Sequence, residues 1–177
     1  MIILISLLLV ACASISPPKE CSPDQCYLTI KGITQDSFST CVPTALAMVL
    51  NYYGDRITQD QIANHIQSTP RLTYFTKVKS FLEKRDYKFT LFMDDSGKSI
   101  LNLKIQILSG TPIIIVGKPK SSSYYHAIVG AGFNKTRIFY LDPQKYGTQT
   151  MSYVEYNYFV KDPGSWILAI QKRRING

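Results

Sequence analysis

The sequence predicts an α+β fold, in which helices from the first half pack on an antiparallel sheet formed by the second half. Between Cys41 and about residue 108, apolar residues recur mostly at helical spacing. From Pro112 onward, β-branched runs separated by turn residues take over. This segregation of helices and strands along the chain is typical of the α+β class. A length of 177 residues suits one domain with a substantial core and is short for two.

The N-terminal segment predicts export and membrane anchoring. Residues 1–11 are almost wholly apolar; they fall short of the roughly 20 residues that cross a bilayer and fit a signal peptide. Leu9-Val10-Ala11-Cys12 resembles the bacterial lipobox, in which the cysteine is lipidated. We interpret residues 12–27 as the lipidated N-terminus and tether, residues 28–177 as the domain, and the bacterial cell envelope as the location. A buried apolar N-terminal strand is the alternative.

The remaining cysteines divide into a pair and a single thiol. Cys21 and Cys26 lie in a proline-containing stretch and could close a small disulfide loop in an oxidising compartment, or could stay reduced at the surface. With Cys12 lipidated, Cys41 is then left over, and an odd cysteine in an exported protein indicates an intermolecular bond or a reactive thiol.

The charge pattern and the small number of histidines exclude several classes of function. The net charge is +8, but the basic residues are scattered, so we expect a solvated surface and no nucleic-acid partner. Two histidines in the chain and the spacing of the cysteines do not favour a metal site. We also expect no cofactor, because no glycine-rich phosphate loop is present.

Cys41 is predicted to open the first helix. From Pro43 the chain continues without a helix breaker to Gly54, and proline is tolerated in a first turn because its missing N–H has no partner there. A thiol at a helix N-terminus lies near the positive end of the helix dipole and near unpaired N–H groups, which favour thiolate. A buried, inert cysteine is the alternative interpretation.

The elements that follow can be assigned in order. Thr58 to Gln61 has the form of a capping box that opens a second helix. A third helix is predicted near 74–84, a strand at 87–93 and a fourth helix near 100–108. Strands are then predicted at 112–116, 125–133, 136–141 and 165–171, with Asn134-Lys135 as the turn of an antiparallel hairpin.

His126 and Asp142 are the candidate partners of the Cys41 thiol. A cysteine nucleophile needs a base, and histidine is the side chain best matched to proton transfer near neutrality. In the predicted hairpin, His126 and Asp142 lie at the same open end, so their side chains can meet if they share a face. A backbone-bonded core histidine and a turn-forming aspartate before Pro143 are the structural alternatives. Gln35 precedes Cys41 closely enough for its amide to serve an oxyanion hole.

Gln35, Cys41, His126 and Asp142, in this order and spacing, resemble the papain-like cysteine peptidases. The closer similarity is to the bacteriocin-processing (double-glycine leader) peptidases and their stand-alone relatives. It rests on ITQDSFSTCVPTALAMVLNYYG, ITQDQIANHI and HAIVGAGFNKTRIFYLDP. The resemblance implies a helical half carrying Cys41 and a sheet half carrying His126 and Asp142, with Cys41 as nucleophile, His126 as general base and acid, Asp142 as orienter and Gln35 as oxyanion donor.

These features together predict a membrane-anchored, exported cysteine peptidase that acts on a peptide or protein substrate. Two alternatives stay open from the sequence. The first is a lipid-tethered peptide-binding module without catalysis. The second is an acyltransferase of the same fold, which would pass the acyl group to an amine instead of water.

Overall fold

A computed structural model describes residues 21–69, 72–93 and 99–173. The predicted signal peptide and the predicted lipidation site Cys12 lie outside these residues. Within the described part, none of the helices combines the length and the apolar character needed to cross a bilayer.

The described residues form helices and strands in the predicted α+β arrangement. The helices are α1 Cys41–Tyr52, α2 Gln59–Ile66, α3 Phe75–Glu83, α4 Ser99–Leu108 and α5 Tyr153–Val160. The strands are β1 Cys26–Tyr27, β2 Gln67–Thr69, β3 Leu72–Thr73, β4 Tyr87–Phe92, β5 Ile113–Gly117, β6 His126–Phe133, β7 Arg137–Leu141, β8 Thr148–Ser152 and β9 Trp166–Lys172. The main sheet has the order β4-β9-β5-β6-β7-β8, and β1 pairs with the far end of β6.

Helix α1 is the centre of the core. Its residues from Val42 to Leu50 are all buried, which the run of Ala, Leu, Met and Val side chains explains. It packs against α2 and against strands β5 and β6. Two tyrosines at its C-terminal end bind sheet-side carbonyl groups: Tyr52 donates to Gly110 and Tyr53 to Ile170. The predicted capping box of α2 is present, with Thr58 and Gln61 each bonding the backbone of the other.

The predicted hairpin is present as β6 and β7, and it contains a bulge. Val129 is opposite Leu141 and Gly132 is opposite Phe139, so three steps along β6 match two along β7, with Ala131 as the additional residue. Asn134 closes the turn, because its side-chain oxygen accepts from the backbone N–H groups of Thr136 and Arg137.

Strand β1 covers the bulge. Cys26 pairs with Phe133 and Tyr27 with Gly132, and the N–H of Leu28 donates to the Ala131 carbonyl at 2.7 Å. The end of the predicted tether is thus part of the sheet. Cys21 and Cys26 form a disulfide that closes the turn before β1.

Four segments were not predicted from the sequence: β1, the β2–β3 pair, β8 and α5. Strands β1, β2 and β3 are very short, and β8 (Thr148–Ser152) is mostly polar. These strands therefore lack a clear alternation of apolar and polar residues. Helix α5 did carry a signal, because Ser152 and Glu155 form a capping box.

Gly132 offers a test of how β1 is held on β6. A methyl group at this position would lie 2.7 Å from the Cys26 carbonyl oxygen and 3.2 Å from the Tyr27 Cα, both of which are backbone atoms. We therefore expect Gly132→Ala to lower the free energy of unfolding in urea by about 1–3 kcal/mol through overpacking. Gly32→Ala is the matched control, since the added methyl would meet only the Leu141 side chain at 3.7 Å. Equal stability of the two variants would contradict this account of β1.

Candidate active site

His126 and Asp142 meet across the β6–β7 hairpin. The His126 Nε2 and Asp142 Oδ1 atoms are 2.6 Å apart, and both side chains are largely buried. If the register of Val129 and Leu141 is continued, Asp142 falls opposite Ile128, so His126 is its diagonal neighbour on the same face. The bulge at Ala131 places His126 and Asp142 on the same face, because without the additional residue the two side chains would point to opposite faces.

Asp142 is held in place by its own turn. Its carboxylate also accepts a hydrogen bond from the Gln144 N–H at 2.9 Å. Burial acts to raise the pKa of Asp142, but the hydrogen bonds from His126 and Gln144 outweigh it and lower the pKa below its ordinary value. The group is therefore a carboxylate at neutral pH, able to hold a positive charge on the imidazole.

The imidazole of His126 and the Cys41 thiol line the same cleft, and the Cys41 side chain acts on the pKa of the imidazole. Because Asp142 occupies Nε2, the Nδ1 atom is the ring nitrogen available to the sulfur. Burial is the largest single influence on His126 and acts to lower its pKa, but the hydrogen bonds to Asp142 and Cys41 together raise the pKa to about 9. The site thus favours a protonated imidazole beside the sulfur.

The N-terminus of α1 leaves N–H groups available beside Cys41. Thr40 occupies the N-cap position, but its side chain does not cap the helix. Instead, its hydroxyl donates to the Ser37 carbonyl and accepts from the Ser37 N–H. Pro43 has no N–H, and the first helical hydrogen bond runs from Thr44 to Thr40. The N–H groups of Cys41 and Val42 therefore face the site as possible oxyanion donors.

Gln35 lies at the junction of the two halves of the site. Its backbone N–H donates to the Pro143 carbonyl at 2.9 Å, beside Asp142. Its side-chain Nε2 donates to the Ser37 carbonyl at 2.7 Å, and its Oε1 is buried without a hydrogen-bond partner among the described residues. The amide nitrogen thus bonds the loop before Cys41, and Gln35 is not among the residues that line the cleft over Cys41.

Two glutamines that the sequence analysis did not single out build the loop that carries Gln35 to Thr40. The buried Gln59 donates to the Thr34 carbonyl and accepts from the Asp36 N–H and the Thr44 hydroxyl. Gln67 donates to the Ser39 carbonyl at 2.7 Å. Both lie at the ends of α2, and nothing in their local sequence indicates these distant contacts.

A cleft of about 920 Å³ opens over Cys41 and His126. The Cys41 side chain is partly exposed, and it is the free cysteine of the described residues. The cleft walls are rich in aromatic and small side chains, namely Ser37, Phe38, Ser39, Val42, Thr73, Val116, Tyr124, Tyr125, Ala127, Gly164 and Trp166. Phe38 and Tyr124 contact each other edge to face, with ring centroids 5.8 Å apart. The loops before Cys41 and before His126 therefore touch.

Tyr125 ties the His126 loop to the segment after α5. Its hydroxyl donates to Asp162, which also pairs with Lys118 at 3.8 Å. The hydrogen bond of His126 is made with Asp142, whereas Asp162 binds Tyr125. Asp162 nevertheless orients the residue that precedes the histidine. Among the described residues, no group of three or more histidine, cysteine or acidic side chains could hold a metal ion.

Comparison with known proteins places this geometry in a family. No curated protein matches the sequence. A solved structure described as a C39-like peptidase from Bacillus anthracis has a TM-score of 0.67 at 16% identity, covering 85% of this chain and 100% of that one. A double glycine motif protease from an AMS/PCAT transporter, in complex with the leader peptide, has a TM-score of 0.65 at 18% identity, with coverage of 83% and 94%.

The peptidase domain of Streptococcus ComA, a bi-functional ABC transporter involved in a quorum-sensing pathway, has a TM-score of 0.63 at 17% identity, with coverage of 81% and 98%. At these identities the likeness establishes a shared fold, which confirms the predicted α+β, papain-like class. A family model described as "Peptidase_C39 like family" matches residues 27–169. The chain belongs to this Peptidase_C39 like family of cysteine peptidases.

Proposed function

We propose that this protein is an exported, membrane-anchored cysteine peptidase whose catalytic residues are Cys41, His126, Asp142 and Gln35. The observation that carries the proposal is a partly exposed thiol at a helix N-terminus, an imidazole that lines the same cleft and a buried carboxylate 2.6 Å from that imidazole. This is the geometry that a nucleophile, its base and an orienting group require. The cleft over the sulfur gives a peptide access to it.

The first half of the reaction uses His126 as an acid. The Cys41 thiolate attacks the carbonyl carbon of the peptide bond, and a C–S bond forms as the carbonyl oxygen gains negative charge. The N–H groups at the start of α1 and the side-chain amide of Gln35 stabilise that oxygen. The imidazolium then gives its Nδ1 proton to the leaving nitrogen, the C–N bond breaks and the amine departs.

The second half uses the same side chain as a base. His126 takes a proton from water, the hydroxide attacks the thioester carbon and the C–S bond breaks. Cys41 leaves as thiolate beside the reprotonated imidazole, so atoms and charges balance over the cycle. Asp142 remains a carboxylate throughout and holds the ring through Nε2.

The anchoring part of the proposal rests on the N-terminal sequence. Cys12 would be lipidated and become the first mature residue on removal of residues 1–11, which would hold the enzyme at a membrane of the bacterial envelope, on the exported side. The Cys21–Cys26 disulfide is consistent with an oxidising compartment, where such bonds persist.

We expect Cys41→Ala to reduce peptide hydrolysis to background, because Cys41 is the proposed nucleophile and the free cysteine of the described residues. The measurement is product formation by mass spectrometry from a peptide library, with and without prior treatment of the wild type with iodoacetamide. Tyr146→Ala is the control and should retain hydrolysis, since Tyr146 is 97% exposed in the β7–β8 loop and does not line the cleft. Addition of water to the acyl product marks a hydrolase, and addition of an amine marks an acyltransferase. Full activity of Cys41→Ala would refute the proposed nucleophile.

Gln35→Ala should lower kcat and kcat/KM equally, on the order of 10²–10³-fold, as loss of a donor that acts only in the transition state does. Gln59→Met is the comparison, because it disturbs the same loop without changing the Gln35 side chain itself. It removes three hydrogen bonds from a buried side chain, so we expect a loss of about 1–3 kcal/mol in unfolding free energy. If Gln35→Ala instead loses stability and leaves the rate nearly unchanged, Gln35 only supports the loop.

The pKa of about 9 for His126 predicts that kcat/KM falls as the pH rises through about 9, because the imidazolium that protonates the leaving amine is lost. Asp142→Asn should move this fall in kcat/KM to lower pH, since it removes the carboxylate that favours the protonated imidazole. The same shift contributes folding stability that is complete below about 6.5 and disappears as the pH rises through about 9.

Proton NMR can follow the titration directly, because the chain has two histidines and His65→Gln assigns them. If the His126 titration and the alkaline fall in kcat/KM occur at the same pH in Asp142→Asn as in the wild type, Asp142 does not control the protonation of the imidazole.

A further inference from the structure

Helices α4 and α5 both expose apolar side chains. Leu101 and Ile105 of α4 are 57% and 50% exposed, and Val154 and Tyr158 of α5 are 79% and 40% exposed. Each pair has i, i+4 spacing, so its two members are neighbours on the helix surface. The core-facing positions of each helix are occupied by other apolar residues. The exposed pairs are therefore additional to what the fold needs.

The two helices are adjacent in the fold. They contact each other, and Lys104 of α4 lies over the ring of Tyr153 at the start of α5, with its Nζ 4.8 Å from the ring centroid. We refer to Leu101, Lys104, Ile105, Val154, Tyr158 and Lys161 as the α4–α5 face.

The charges around the α4–α5 face are mainly positive. The Nζ of Lys161 is 3.8 Å from the ring centroid of Tyr158, and that of Lys120 is 5.9 Å from it. The acidic groups nearest in sequence are already engaged: Glu155 bonds the N–H and hydroxyl of Ser152, and Asp162 pairs with Lys118. Aliphatic and tyrosine side chains bordered by lysines match an anionic bilayer surface, where apolar groups enter the interface and lysines reach the lipid phosphates.

The N-terminal segment enters the fold next to α4. Strand β1 contacts α4, and the Cys26 Sγ lies 3.5 Å from the Ile107 carbonyl oxygen. The predicted lipidation site Cys12 precedes Cys21 by nine residues, which span at most about 30 Å when extended. A lipid at Cys12 would thus keep the protein within this distance of the bilayer, with α4 next to the point where the tether joins the domain.

We infer that the α4–α5 face docks on the anionic surface of the membrane to which the chain is anchored. The orientation relies on the proposed anchor at Cys12, whereas the chemistry of the face does not. Docking would also position the cleft, because Asp162 directly follows Lys161 and binds the cleft residue Tyr125. Substrates lying at the membrane surface would then be favoured.

The test places a tryptophan on the face of the full chain. Ile105→Trp is bound to vesicles of phosphatidylcholine and phosphatidylglycerol in equal parts, with and without lipids brominated near the headgroup. We expect its emission to shift to the blue and to be quenched by the brominated lipid. Tyr146→Trp is the control, since residue 146 is 97% exposed in the β7–β8 loop, outside the α4–α5 face. The natural tryptophan, Trp166, contributes the same background fluorescence to both variants. The effect should weaken in vesicles of phosphatidylcholine alone.

The outcomes separate the proposals. Equal quenching of the two variants, or no quenching of Ile105→Trp on protein that sediments with vesicles, overturns docking while leaving the anchor intact. Failure to sediment overturns docking and anchoring together, and hydrolysis of a soluble peptide by the same sample reports on the peptidase separately. If the wild type self-associates without lipid and Ile105→Asp abolishes this, the face is a protein interface and the inference is wrong.

Discussion

The hydrogen bond between His126 and Asp142 depends on a single additional residue in a strand. Side chains alternate between the two faces of a sheet, so a shift of one residue reverses the face. The bulge at Ala131 supplies that shift between the turn and the open end of the hairpin. The Ala131 carbonyl accepts a hydrogen bond from the Leu28 N–H, and strand β1 covers the bulge. The N-terminal strand therefore stabilises the irregularity that aligns the site.

A second constraint concerns how the cysteine half is joined to the histidine half. The loop before Cys41 has no regular structure of its own and is held by side chains, with Gln59 and Gln67 bonding its backbone from α2. The Gln35 N–H then binds the Pro143 carbonyl, one residue from Asp142. The distance between sulfur and imidazole is thus set by two independent connections, one through the α1–β6 packing and one through this loop.

The sequence predicts the parts of the site that depend on local physical chemistry. The start of α1, the Thr58 capping box and the Asn134 turn each follow from a few adjacent residues. The shared face of His126 and Asp142 does not, because Gly130 and Gly132 indicate an irregular strand but do not fix the register across it. The tertiary bonds of Gln59 are equally invisible, since a glutamine in a helical first turn is usually solvated. The helix α5 could have been found from Ser152 and Glu155, but the polar strand before it obscures the pattern.

The electrostatics of His126 suit both halves of the proposed cycle. In the free enzyme, Asp142 and Cys41 together overcome burial and favour the imidazolium, so the ring is ready to protonate a leaving amine. In the acyl-enzyme, the sulfur is bonded to carbon and can no longer carry negative charge. Its contribution to the raised pKa is then lost, while burial still acts to lower the pKa. The ring becomes easier to hold in its neutral form at the step where a base must activate water. The Cys41 side chain therefore influences the pKa of its own partner, and the bulge that aligns Asp142 keeps the ring in place for both proton transfers.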